Sequence, residues 1–146
     1  MHLGAIQTAT TPDLPGIRSL LDGARLPSQD VGAPNQRFLV VRDADDLVGC
    51  VGLEDYGSVA LLRSLAVAPA WQGRGLGKAL HEAALGVARE RGIAEVFLLT
   101  TTAEAFFAHA GYSRADRATA PAPIQSSPEF RALCPASAVC MSRRLL

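Results

Sequence analysis

Residues 66–80 read AVAPAWQGRGLGKAL. An apolar run ends at Pro69, and a glycine-rich turn then leads straight into an amphipathic stretch. Gly73, Gly75 and Gly77 stand where a helix should begin, although glycine is a poor helix former and loses more backbone freedom on folding than any other residue. A strand, a tight glycine turn and a helix together aim free backbone N–H groups and the positive end of a helix dipole at one point. That point suits an anion, most often a phosphate. Each dipole interaction contributes only about 0.3–1 kcal/mol, so several N–H groups must act together, and glycine lets a ligand reach them. Two familiar phosphate loops are excluded: there is no GxxxxGK[ST], and GRGLGK lacks both the GxGxxG spacing and the later acidic residue of a dinucleotide fold.

Working outward, residues 58–67 (SVALLRSLAV) are almost continuously apolar, as in a central strand covered on both faces, with Arg63 and Ser64 interrupting. Over residues 75–91, Leu76, Leu80, Ala83 and Val87 trace one helical stripe that ends at Gly92. Residues 37–42 and 47–54 read as an antiparallel hairpin, and residues 5–10 as a first strand before a helix that starts near Thr11. Residues 27–36 form a loop with room for one short helical turn. Residues 95–100, 112–116 and 137–143 are further strands, and residues 102–110 a short helix. Pro121, Pro123, Pro128 and Pro135 make 118–135 a long connection with at most a helical turn at 129–133. The fold class is α/β, and with no repeat or linker residues 1–146 read as a single domain.

Composition narrows the partners. The 146 residues are 49% hydrophobic, and Lys+Arg 14 balance Asp+Glu 14, so no basic field is available for nucleic acid or an acidic membrane. Cys50, Cys134 and Cys140 are too widely spaced for a disulfide framework or a zinc site, and no metal site is expected. Neither a leader nor a membrane span is evident, which points to the cytoplasm. His2 is terminal, and His81 and His109 are expected on solvated helix faces.

Gln72-Gly-Arg-Gly75-Leu-Gly77 resembles the acyl-CoA loop of the GCN5-related N-acetyltransferases (GNAT), Gln/Arg-x-x-Gly-x-Gly/Ala. Leu65-Ala-Val67-x-Pro69 before it and Phe107-x-x-x-Gly111-Tyr112 after it stand in that family's order, so the resemblance covers essentially the whole chain. It implies a mixed, mostly antiparallel sheet splayed between its fourth and fifth strands, flanked by helices, with acetyl-CoA as cosubstrate in the gap. The pyrophosphate would rest on the N–H groups of Gly73, Arg74, Gly75, Leu76, Gly77 and Lys78, with Gln72 alongside. The pantetheine arm would pair with the backbone near Leu65, Ala66 and Val67, and the Val67 N–H would stabilise the thioester oxygen. Thr100, Ala103 and Phe107 would complete the cofactor site.

The chain departs from the family where protons move. Phe107 occupies the usual tyrosine position and Thr100 that of a frequent asparagine, so the usual general acid is absent or displaced. The central strand supplies no carboxylate, which leaves Glu54 as the leading candidate for the base. Arg63 is suited to hold a carboxylate, phosphonate or phosphinate of the acceptor; a structural salt bridge, for instance with Asp55, is the alternative. Ser64, Cys134 and Ser137 are candidate acceptor-pocket residues. A lysine of pKa about 10.4 needs about 4–5 kcal/mol to become neutral at pH 7, against about 1–1.4 for an α-amine, so an α-amine is the easier acceptor.

Residues 100–107 (TTTAEAFF) and 130–139 (FRALCPASAV) further resemble a GNAT branch associated with arsenic-resistance gene clusters. That resemblance implies a small amino-acid-like amine acceptor, extending to a phosphinate or arsinate toxin, acetylated by direct attack. A protein N-terminal or lysine acetyltransferase, a non-catalytic acyl-CoA sensor, and a homodimer stay open.

Overall fold

The computed structural model describes residues 3–146, so His2 lies outside the described residues. The predicted hairpin forms as β2 (Gln36–Asp43) and β3 (Asp46–Asp55), paired antiparallel with Val40 opposite Cys50. β3 pairs antiparallel with β4 (Val59–Val67), and β4 pairs parallel with β5 (Glu95–Thr100). β7 (Val139–Arg144) lies antiparallel between β5 and β6 (Ser113–Arg114), and β1 (Gln7–Thr8) closes the other edge. The result is a seven-stranded sheet in the order β1-β2-β3-β4-β5-β7-β6, mixed and mostly antiparallel as the sequence led us to expect.

The parallel contact is short. Only Val59, Ala60 and Leu61 pair with Glu95, Val96 and Phe97, so the rest of β4 has an open edge towards β5. Across the other edge, Cys50 pairs with Ala66 and Gly52 with Arg63, so Ser64 and Leu65 together oppose Val51. This is a β-bulge, and it puts Ser64 at φ 59°. It re-aims β4 beside the gap.

Two helices cover opposite faces. α1 (Leu14–Gly23) buries Ile17 and Leu21 against Phe38, Val40 and Cys50. α2 (Leu76–Glu90) buries Leu80, Ala84 and Leu85 against Val41, Val51 and Leu62. Strand alternation makes this a two-layer covering: Leu61 and Phe97 face away from α2 and meet Ile124 and Phe130 of the proline-rich connection. After α3 (Glu104–His109), that connection is more helical than expected, holding a 3-10 turn (Arg117–Thr119), α4 (Ala122–Gln125) and a π turn (Glu129–Leu133). Pro121 and Pro123 fit because they fall at the start of α4, where no backbone donor is lost. Arg117 ties the segment down by donating to Phe130 O and Pro135 O.

Other expectations shift. The first strand shrinks to Gln7–Thr8 and the strand expected at 112–116 to Ser113–Arg114, while residues 27–35 form the expected loop without a helical turn. His81 is buried, since Tyr112 and α3 cover that side of α2 and the Tyr112 hydroxyl meets Nε2 at 2.9 Å. Burial pushes the His81 pKa down. His109 is exposed.

Candidate functional site

The glycine turn is an open cradle. Gly73 and Gly75 have φ 76° and 81°, a region where a side chain is strained, and a Cβ on either would meet nothing within 4 Å. The glycines are therefore needed for the backbone path, and the space above them is free for a ligand. Gly75 caps α2 without any side-chain hydrogen bond, and the Ala79 N–H bonds back to Gly75 O at 3.1 Å. The N–H groups of the turn and first helical positions before it are the orphan donors of a helix start. Trp71 is buried below the turn, and the Arg74 guanidinium lies 5.1 Å from its ring centroid. Gln72, Arg74 and Lys78 are exposed around the cradle, while Leu76 anchors it in the core.

The end of β4 presents its backbone to the gap. Ala68 donates to Val48 O on β3 at 2.8 Å, so by strand alternation the neighbouring Val67 N–H faces the unpaired edge. Val67 O points the same way and accepts from Gln72 Nε2 at 3.0 Å.

A cavity of about 940 Å³ fills the splay. Of the residues singled out from sequence, Arg63, Ser64, Leu65, Ala66, Val67, Gln72, Gly77, Thr100, Ala103, Phe107 and Cys134 all line it. The turn after α1 supplies the opposite wall through residues 24–29. Glu54 does not line it, and Ser137 is exposed beside the lining residue Ala138. Phe107 presents a phenyl ring to the cavity, and the Tyr112 hydroxyl is committed to His81. Among the described residues no group of three or more His, Cys, Asp or Glu side chains could hold a metal ion. No described helix is long and apolar enough to cross a membrane.

Arg63 is the hub of a buried ionic cluster beside the cavity. Its side chain is fully buried. Asp30 accepts from both terminal nitrogens, at 2.5 and 2.7 Å, and Glu54 accepts from one of them at 2.7 Å. Nε donates to Ser64 Oγ at 2.9 Å and lies 3.2 Å from Glu129 Oε2. Burial alone would weaken the charged form of Arg63, but Asp30, Glu129 and Glu54 hold its pKa above the usual arginine value. Gly52 makes room for this: a Cβ there would sit 3.1 Å from Arg63 Cγ and 2.8 Å from the Phe38 ring. Asp55, the salt-bridge partner considered from sequence, instead pairs with Arg91 at 2.6 Å.

The three carboxylates come from three separated segments: the turn after α1, β3 and the proline-rich connection. Glu54 also accepts from Tyr56 at 2.6 Å and Gln36 at 3.0 Å. Glu129 differs, since its second oxygen accepts only a thiol hydrogen bond, from Cys134 at 3.5 Å. Burial pushes Glu129 up to about 7, outweighing the opposing pull of Arg63, and pushes Cys134 up to about 12. Sequence reasoning missed Asp30 and Glu129, which sit in unremarkable loop contexts. The available signal was Arg63 itself, because a charge within a covered strand demands partners.

The family model described as the acetyltransferase (GNAT) family matches residues 5–114. An amino-acid acetyltransferase of Mycobacterium tuberculosis is 33% identical over 118 residues, covering 74% of this chain and 67% of the relative. A solved M. tuberculosis structure in complex with CoA and a second ligand is similar with TM-score 0.80 at 27% identity, over 98% of this chain and 100% of that one. The N-acetylglutamate synthase of Neisseria gonorrhoeae, solved with coenzyme A and N-acetyl-glutamate, superposes with TM-score 0.82 at 23% identity, which speaks to the fold. That match covers 100% of this chain but only 36% of the synthase chain.

Proposed function

The chain belongs to the acetyltransferase (GNAT) family, an N-acetyltransferase with acetyl-CoA as cosubstrate, and we propose that its acceptor is the α-amine of a small amino-acid-like molecule. The observation that carries this reading is one continuous cavity, lined by Gln72 and Gly77 beside the glycine cradle and by Arg63 and Ser64 further along β4. The donor would span the cradle and the open β4 edge, and the acceptor would enter at the Arg63 end. On this reading residues 1–146 work as one domain in the cytoplasm.

The cradle fits a pyrophosphate because its donors are backbone N–H groups with open space before them. Leu65, Ala66 and Val67 would hold the pantetheine arm, with Thr100, Ala103 and Phe107 as the facing wall. The acetyl thioester supplies an electrophilic carbonyl carbon and a thiolate leaving group. The Val67 N–H, which faces the open edge of β4, would stabilise that carbonyl oxygen as it gains charge when the amine adds. Holding the amine next to it in one cleft removes much of the entropic barrier.

The acceptor's own acidic group would take over the Arg63 fork. Asp30 now occupies that fork in bidentate fashion from a turn without regular structure, which is the geometry an incoming carboxylate, phosphinate or arsinate would reproduce. Ser64, Cys134 and, at the rim, Ser137 would frame the acceptor. Glu54 would act chiefly through Arg63, since its carboxylate is already held by Arg63, Gln36 and Tyr56. A resistance role follows if the preferred acceptor is a toxic phosphinate or arsinate amino acid.

The test is thiol release from acetyl-CoA with purified protein, across α-amino acids, their phosphinate and arsinate analogues, lysine side-chain amines and peptide N-termini. The reading expects the highest kcat/KM with a small acidic α-amino acceptor. Preference for peptides or lysine side chains would redirect it to protein substrates, and CoA binding without any turnover would make the chain a sensor.

A further inference from the structure

Glu129 has no part in the transfer as described, yet it is only 4% exposed and stands at the acceptor end. Its neighbours in the Arg63 cluster are well supplied with donors: Asp30 takes two from Arg63, and Glu54 takes one each from Arg63, Gln36 and Tyr56. Glu129 has an Arg63 nitrogen 3.2 Å from Oε2 and the Cys134 thiol 3.5 Å from Oε1. Cys134 lines the cavity together with Ser64, Leu65 and Val67. The Cys134 thiol therefore links a cavity-lining residue directly to a buried carboxylate that is short of hydrogen bonds.

We propose that Glu129 takes up the proton released by the acceptor amine, with the Cys134 thiol carrying it between them. The inference rests on the acetyl-transfer reading above. The groups facing Glu129 are Arg63 from β4, Glu54 from β3, Asp30 from the turn after α1, and Cys134 from its own segment. Burial raises Glu129 to about 7, with Glu54 and Asp30 adding to the rise against Arg63, so it can accept and return a proton near neutrality. Cys134, raised to about 12, stays a thiol and keeps its S–H on Glu129.

The step balances. As the acceptor ammonium gives a proton to Sγ, the thiol proton moves to Oε1, so one N–H and one S–H bond break while one S–H and one O–H bond form. The thiol is regenerated, Glu129 is neutral, and the amine lone pair is free. That nitrogen then forms the C–N bond as the C–S bond breaks, and the departing thiolate takes the second amine proton. Glu129 returns its proton to solvent afterwards.

The experiment pairs pH–rate profiles of the wild type, Glu129→Gln, Cys134→Val and Cys134→Ser with a carbon-13 NMR titration of the glutamate carboxyls, assigned through Glu129→Gln. We expect wild-type kcat to rise through a limb near pH 7. Glu129→Gln and Cys134→Val should each lose that limb and at least about tenfold in kcat, with KM for acetyl-CoA within about twofold. Cys134→Ser, which keeps a hydroxyl on the path, should recover part of the rate. Either of the first two variants keeping both limb and kcat overturns the inference. The titration needs no turnover: a Glu129 carboxyl titrating near the ordinary glutamate value of about 4.3 overturns it whatever the acceptor. Absence of turnover with every amine, by contrast, bears on the acetyl-transfer reading alone.

Discussion

The two ends of the cavity are made of different material. The cradle end is backbone: the open edge of β4 and Gly77 line it, and beyond Gln72 it runs out to the positive-φ glycines Gly73 and Gly75, with exposed Arg74 and Lys78 beside them. The Arg63 end is side chain: one buried guanidinium and three carboxylates brought from segments far apart in sequence. A backbone site recognises what all its ligands share, which on the proposed reading is the phosphate-bearing arm of the cosubstrate. A side-chain site is where specificity is set, and it is also where burial makes each change costly.

The sharpest way to break this contrast is Arg63→Met. Removing the cation leaves Asp30, Glu54 and Glu129 without their common partner, so unfolding free energy should drop by about 3–5 kcal/mol, measured by urea denaturation. A loss below about 1 kcal/mol would mean the cluster is not the buried ionic hub described. Next, Gly75→Val should raise the Kd for CoA at least about tenfold, about 1.4 kcal/mol, because a β-branched residue resists φ 81° and narrows the cradle. Unchanged affinity in calorimetry would argue against a backbone-built donor site.

Stability against pH sharpens the contrast further. Glu129 is raised in the folded protein, so its contribution is fully present below the unfolded value near 4.5 and is lost as pH rises towards about 7. Over that window Glu129 lowers stability by up to about 1.4 kcal/mol per pH unit while the buried His81 pulls the other way, so the stability of the wild type relative to Glu129→Gln, which mimics the protonated form, should decline as pH rises. Asp55 works in the opposite sense: despite the upward push of burial, the Gly57 N–H and Arg91 hold it low, so its contribution is lost as pH falls. The smallest effect is expected from Phe107→Tyr. A hydroxyl at the cavity wall should raise kcat by about two- to fivefold, through protonation of the leaving thiolate, read from initial rates of thiol release.

The same division explains what could be read from the chain. The β4–turn–α2 unit is contiguous, so spacing in residues 58–92 exposed the strand, the glycine turn and the helix that make up the unit. The β3–β4 bulge that tilts Ser64, by contrast, depends on pairing across strands and leaves no local trace. Arg63 was legible as a charge in a covered strand, but its partners were not: Asp30 and Glu129 reach it only because α1 and the proline-rich connection pack on the same face of the sheet. His81 was misplaced for a related reason. Its burial is decided by Tyr112 and α3, which follow it in the chain by some distance and cover a helix side that periodicity alone reads as solvated.

The claim that donor and acceptor ends are separately built is tested most directly by calorimetric titration of acetyl-CoA into the wild type, Gly75→Val and Asp30→Asn. The account predicts at least about tenfold weaker binding for Gly75→Val and a Kd within about twofold of wild type for Asp30→Asn, since Asp30 touches only the Arg63 end. Equal losses in both variants, or a loss confined to Asp30→Asn, would contradict it.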